Sequence, residues 1–233
     1  VHGASDNQHA YDRLLDAVPS RAAYAINLPA RAGTEGPAAK SVAEMERFLS
    51  ELVKSQVDGG YVAVGHSLGG AVVIEHALVA PPAGLQGLVL LATGARLRVH
   101  PMILALWEQG AASGKLPPMP AWIHEEGIDP AGQLEVQRKR ELTPVSTGAV
   151  DWRAADEFDR MDSVAGIEVP TLVIGGTADA LTPPKYAEYL ARHIPRAELH
   201  LLEGAGHMLV LDRAEEVARL IETFVAGLPS PSS

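Results

Sequence analysis

Ser67 lies in the run Gly65-His66-Ser67-Leu68-Gly69, Asp179 in Gly175-Gly176-Thr177-Ala178-Asp179, and His207 in Gly204-Ala205-Gly206-His207. A serine hydroxyl becomes a nucleophile when a base takes its proton, and an imidazole base works when an acid orients it. These three types in this order could perform acyl transfer. A G-x-S-x-G match by itself carries little weight, since average glycine usage yields one by chance in about one chain in ten of this size. Taken alone, Ser67 could equally be the N-cap between a buried strand and a helix. The elements around it decide.

Tyr61-Val62-Ala63-Val64 reads as a strand that ends at Gly65, and Leu68 to Ala80 reads as a helix, so the motif falls on a strand-to-helix turn. Such a turn strains the serine backbone and lifts its hydroxyl clear of the sheet. Gly65 and Gly69 are then small for steric reasons. The helix N-terminus beside the hydroxyl favours developing negative charge. Further short apolar runs occur at 22–26, 88–91, 171–174 and 198–202, as expected for strands buried on both faces. Val42, Met45, Phe48, Leu49, Leu52 and Val53 form a helical stripe, as do Val217, Leu220, Ile221, Phe224 and Val225. Alternating strands and helices imply right-handed βαβ units, hence an α/β class with a mostly parallel sheet covered by helices on both faces. Asp179 and His207 then follow strand ends at the same sheet edge as Ser67, where ligands bind in such sheets.

One stretch breaks the alternation. From about residue 93 to 164 no strand is evident. Helical fragments, prolines including Pro101, Pro117, Pro118, Pro120 and Pro144, and all 3 tryptophans (Trp107, Trp122, Trp152) take its place. Connections this long are usually functional. The expected organisation is a core of residues 1–93 and 165–228, a helical cap of residues 94–164 inserted between strands, and a disordered tail of residues 229–233. Met102, Leu106, Trp107 and Trp122 are candidates to line an apolar pocket above Ser67, although holding the cap helices together would use the same residues.

Composition narrows the partners. The 233 residues are 47% hydrophobic and 21% charged, with a formal charge of −10, which argues against nucleic acid. The cluster Arg138-Lys139-Arg140 is flanked by Glu135 and Glu141 and reads as a solvated helix face. The absence of cysteine excludes disulfides, thiolate metal sites and a cysteine nucleophile. No apolar run is long enough for a membrane span, and no histidine pair stands at metal-ligand spacing. No metal or cofactor is expected, and a cytoplasmic location is. Among other candidates, His66 and His2 read as structural, the latter bracing the loop around it. His100 and His124 read as surface or packing residues, and Asp212 as the N-cap of the last helix.

These blocks resemble the α/β-hydrolase superfamily, specifically its capped, lipase- and esterase-like members. The resemblance rests on Val1-His2-Gly3-Ala4-Ser5, on Asn27-Leu28-Pro29-Ala30-Arg31-Ala32-Gly33, and on Gly65-His66-Ser67-Leu68-Gly69-Gly70. Val169-Pro170-Thr171-Leu172-Val173-Ile174-Gly175 leading to Asp179, and then Gly206-His207, complete it. It implies Ser67 as nucleophile, His207 as base and then acid, Asp179 as its partner, and the backbone N–H groups of Leu68 and Ala4 as the oxyanion hole. The implied activity is hydrolysis of a small-molecule carboxylic ester with an apolar acyl or aromatic part through an acyl-enzyme. Thioesterase, lactonase, perhydrolase and carbon–carbon (diketone) hydrolase remain alternatives on the same triad. A serine nucleophile argues against epoxide hydrolase or haloalkane dehalogenase, and a ligand receptor on this fold is the non-catalytic alternative. Two departures stand out. The family places two or three strands before the His-Gly loop, where here Val1 alone precedes His2, so the chain is expected to begin further upstream. The loop at residues 27–33 lacks the family's usual aspartate and glycine, and is expected to shape structure rather than chemistry.

Overall fold

A computed structural model describes residues 1–18, 22–79, 83–118 and 139–229. Among the described residues, four parallel strands form one sheet in the order β1 (Tyr61–His66), β2 (Leu85–Leu91), β3 (Thr171–Gly176) and β4 (Ala197–Leu202). The register aligns His66 with Leu91, Leu91 with Ile174 and Ile174 with His200. One level across the sheet therefore carries the residue before Ser67, the last residue of β2 and residues two short of the ends of β3 and β4.

Strand side chains alternate between two cores, as period-two geometry requires. Leu88, Leu90 and Val173 join one core, while Val89, Leu91, Leu172 and Ile174 join the other. Helices α2 (Val42–Gln56), α3 (Leu68–Val79) and α6 (Pro184–His193) cover the first face. Helices α1 (Asp12–Ala17), α7 (Leu209–Asp212) and α8 (Ala214–Ala226) cover the second. The stripe on α2 buries Val42, Met45 and Leu49, and the Ser41 hydroxyl caps the helix by accepting the Glu44 N–H at 3.2 Å. Helix α3 has no polar face because α2 covers it outside and the sheet lies inside.

Between β2 and β3 lie helices α4 (Pro101–Ser113) and α5 (Val145–Glu157), packed on one another. His100 caps α4 by accepting the Met102 N–H at 3.2 Å, and Gly114 ends it in the left-handed conformation, φ 68°. Ile103, Trp107, Ala149 and Trp152 form a third apolar cluster that reaches Ala4 and Leu181.

Two expectations are corrected. The apolar run at 22–26 is extended but belongs to no strand, and Tyr24 is 85% exposed. Apolar alternation favours extended backbone, but a ladder also needs a neighbour with free backbone groups. On that edge of β1 the backbone bonds are made to Val1, which accepts the His66 N–H and donates to the Val64 carbonyl. The last helix is preceded not by Asp212 but by Arg213, because residues 209–212 already form α7. Trp122, His124, Arg138 and the tail beyond Pro229 lie outside the described residues.

Candidate active site

Ser67 occupies the single residue between β1 and α3, with φ at +53°, in the left-handed region that β-carbon-bearing residues rarely adopt. Its surroundings hold it there. The Ser67 N–H donates to the Leu91 carbonyl at 2.9 Å, and its own carbonyl accepts from Gly70 N–H at 2.9 Å and Thr93 Oγ1 at 2.7 Å. The glycines have the expected steric origin. A β-carbon at position 65 would stand 2.3 Å from the Gly69 carbonyl oxygen, and one at 69 would stand 2.0 Å from that of Val1. The helix and the first residues of the chain thus approach the turn too closely for any side chain.

Asp179 follows β3 and His207 follows β4, and the structure brings them into contact: His207 Nδ1 lies 2.9 Å from Asp179 Oδ2. Asp179 is 3% exposed, and its oxygens are crowded with donors. Oδ1 accepts the backbone N–H groups of Leu181 at 2.8 Å and Thr182 at 2.9 Å, while Oδ2 accepts the Thr182 hydroxyl at 2.7 Å. Burial alone would push its pKa up. Electrostatic attraction to the His207 ring and these hydrogen bonds outweigh burial and hold the carboxyl well below the usual carboxylate range. The carboxylate in turn assigns Nδ1 as the protonated nitrogen of His207, which leaves the Nε2 lone pair for a proton.

His66, next to the serine, is buried, and its Nε2 lies 2.9 Å from the His207 carbonyl oxygen, with the two rings 5.0 Å apart. Donating that bond requires the Nε2–H tautomer. Burial first, then the neighbouring His207, lowers its pKa to about 3, so it stays neutral. His66 ties the turn that carries Ser67 to the loop that carries His207.

Leu68 follows Ser67 in the chain, and the loop that carries Ala4 packs against the turn through Gly3. Gly3 places its Cα side against Ser67, since a β-carbon there would lie 3.3 Å from Ser67 Cβ. Neither the Ala4 nor the Leu68 N–H donates to a backbone acceptor outside the regular elements among the described residues. His2 is fully buried, with Nδ1 2.9 Å from the Gly3 carbonyl oxygen and Nε2 accepting the Leu28 N–H at 3.2 Å. It joins this loop to residues 27–33, as its position suggested.

Sequence reasoning missed Thr182, Thr93 and a buried ion pair between Arg31 and Asp151. The threonines carry no spacing signal, although the tight Asp179-Ala180-Leu181-Thr182 turn permits the side-chain contact. Of the pocket candidates, Trp107 is buried against Trp152 with ring centroids 6.4 Å apart. Met102 is half-exposed and Leu106 half-buried, both on the stripe of α4 beside Ile103 and Trp107 and outside their cluster. Among the described residues no group of His, Cys, Asp and Glu could hold a metal ion, and no helix is long and apolar enough to cross a membrane.

The chain is similar to known proteins along most of its length. The model of the family described as "Alpha/beta hydrolase family" matches residues 1–220. A pimeloyl-[acyl-carrier protein] methyl ester esterase of Neisseria meningitidis serogroup C is 29% identical, over 98% of this chain and 93% of its own length. A serogroup A protein of the same name is 30% identical, over 100% of this chain and 78% of its own. Among solved structures, one titled as a thermophilic esterase superposes with a TM-score of 0.81 at 33% identity, covering 98% of this chain and 89% of that one.

Proposed function

The chain belongs to the alpha/beta hydrolase family, and on that premise we propose that it is a serine esterase in which Ser67, His207 and Asp179 form the catalytic triad. The observation that carries this reading is the His207–Asp179 pair at 2.9 Å, tied by the bond between His66 Nε2 and the His207 carbonyl to the turn that holds Ser67 left-handed. An ionised Asp179 keeps the His207 proton on Nδ1, so Nε2 accepts the Ser67 proton as Oγ attacks the ester carbonyl. The tetrahedral oxyanion is stabilised by the N–H groups of Leu68 and Ala4, each worth about 3 kcal/mol in such sites. Collapse breaks the bond to the alkoxide, which takes the proton from His207 and departs as the alcohol, and the acyl group stays on Ser67 Oγ as an ester. Water then gives its proton to His207, attacks the acyl carbonyl, and releases the acid as the proton returns to Ser67.

Residues 94–164 act in this reading as a cap. The Trp107–Trp152 cluster supports it, because it packs against Ala4 and Leu181, one beside each half of the site. The substrate is a carboxylic ester with an apolar acyl part and a small alcohol. The names of the neisserial relatives make a methyl ester of a carrier-protein-bound acyl chain the first candidate.

The test compares wild type with Ser67→Ala on p-nitrophenyl acetate and on a panel of methyl esters, thioesters, lactones and diketones, scored by kcat/KM. The expected result is ester turnover that Ser67→Ala removes and a preference for esters over the other bonds. Wild-type turnover by Ser67→Ala would refute the mechanism, and a preference for diketones would move the activity to carbon–carbon cleavage.

A further inference from the structure

Arg31 and Asp151 are 120 residues apart in the chain, yet their side chains meet in two parallel hydrogen bonds, Nη1 to Oδ2 at 2.7 Å and Nη2 to Oδ1 at 2.9 Å. Both side chains are completely buried. A buried ion pair contributes little net stability, because removing two charges from water costs about what their attraction returns. Its position therefore asks for another explanation. Asp151 lies on α5, between β2 and β3, and its Oδ2 also accepts the Ser5 N–H at 2.9 Å. Arg31 adds a bond to the Asp6 carbonyl at 3.2 Å. Ser5 itself sits at φ +58°, a strained conformation for a non-glycine residue, and its hydroxyl donates back to the Ala4 carbonyl at 2.6 Å. Carboxylate and guanidinium thus hold both ends of the short turn that follows Ala4. Ser5 N–H belongs to the peptide plane that follows Ala4, while the plane that carries the Ala4 N–H is held through the Gly3 carbonyl, which accepts the Asp6 N–H at 3.4 Å, so anchoring Ser5 and Asp6 sets the turn from which the Ala4 N–H projects.

We propose that Asp151, itself held by Arg31, is a positioning residue that aims the Ala4 N–H into the oxyanion hole. The inference rests on the esterase reading given above. It also assigns a role to the loop at 27–33, whose Arg31 acts on the site through Asp151 without touching the substrate. Because Asp151 is on α5, the same carboxylate links that helix to the oxyanion loop. An oxyanion donor displaced by about 1 Å loses much of its effect on the transition state and little on the ground state.

Two variants separate positioning from stability. Arg31→Met/Asp151→Leu replaces the pair by apolar groups of similar size, a change that often leaves stability intact, but it removes the acceptor for Ser5 N–H. Asp151→Asn keeps an oxygen for Ser5 N–H but leaves Arg31 facing a neutral partner, which lowers stability. Each is assayed well below its melting temperature on the ester that wild type turns over best, with inhibition by a trifluoromethyl ketone, which forms an oxyanion on Ser67, as a second readout. The double variant is expected to lose about 10–100-fold in kcat and in trifluoromethyl ketone affinity, with KM within about threefold of wild type. Asp151→Asn is expected to stay within about fivefold in kcat despite a lower melting temperature. Activity that tracks melting temperature instead, lost in Asp151→Asn and kept in the double variant, would overturn the inference. So would a folded Asp151→Asn that loses kcat as far as the double variant does. Ser67→Ala is assayed alongside. Turnover that survives it overturns the esterase reading and this inference together, whereas Ser67-dependent turnover with an unaffected double variant overturns this inference alone.

Discussion

Thr182→Val removes one hydroxyl from beside Asp179 at nearly constant volume. The hydroxyl donates to Asp179 Oδ2 at 2.7 Å and lies 3.3 Å from His207 Nδ1. Hydrogen bonds to a charged group contribute about 1.5–3 kcal/mol each. Asp179 keeps its bonds from Leu181 N–H, Thr182 N–H and His207, so ionisation at neutral pH survives. The variant is therefore expected to lose about 1.5–3 kcal/mol of stability at pH 7, or about 3–12 °C in Tm for a domain of this size. Its kcat should fall by no more than about tenfold.

The pH dependence has a definite sign. The native pKa of Asp179 is depressed below the unfolded value of about 3.9, so its stabilisation is complete above that value and is lost as pH falls through the native titration. Removing a donor to the carboxylate raises the native titration by about one to two pH units. The Tm gap between wild type and variant should hence be constant from pH 8 to about pH 5 and narrow only below about pH 4. Thermal melts across that range in stabilising sulfate measure it. An unchanged Tm at pH 7, or a gap that widens on acidification, would refute the view that Thr182 stabilises the charged carboxylate.

Asp179→Asn should lower kcat by about 10⁴-fold, because an amide no longer dictates which His207 nitrogen is protonated; steady-state kinetics on the preferred ester checks it. Gly69→Ala puts a methyl group 2.0 Å from the Val1 carbonyl oxygen, where only backbone can yield, and is expected to cost about 3 kcal/mol in denaturant melts. His66 is neutral in the fold with a pKa of about 3, while unfolded histidine takes up a proton near 6.5, so its contribution is full above about pH 6.5 and erodes as pH falls towards 3. Wild type should lose about 2 kcal/mol more than His66→Gln between pH 7 and pH 5, as read from urea midpoints at each pH.

What was legible in the sequence was what local rules encode. The turn at Ser67 could be read because a strand, two glycines forced by close backbone approach and an apolar helix are contiguous, and Gly176 before Asp179 is forced in the same way by the Ala205 carbonyl, whereas a β-carbon at Gly206 would meet nothing within 4 Å. Strand ends shifted by a few residues, as at β2, which starts at Leu85 rather than 88. The run at 22–26 was misread because pairing depends on a neighbour that local pattern does not report. Arg31 and Asp151 could not be matched from sequence, since a buried pair 120 residues apart has no spacing. Arg31 did stand in the loop that lacks the family's usual aspartate and glycine. Thr93 and Thr182 look like any other threonine until the strand register brings them to the turn and the carboxylate.

The most direct test of the account is to trap the acyl-enzyme. Wild type quenched in acid during the pre-steady-state burst with a p-nitrophenyl ester, then digested and mapped by mass spectrometry, should carry one acyl group on the peptide containing Ser67. The burst amplitude should approach one equivalent per chain, and Ser67→Ala should show neither burst nor adduct. An acyl group on any other residue, or steady ester turnover with no covalent adduct at all, would contradict it.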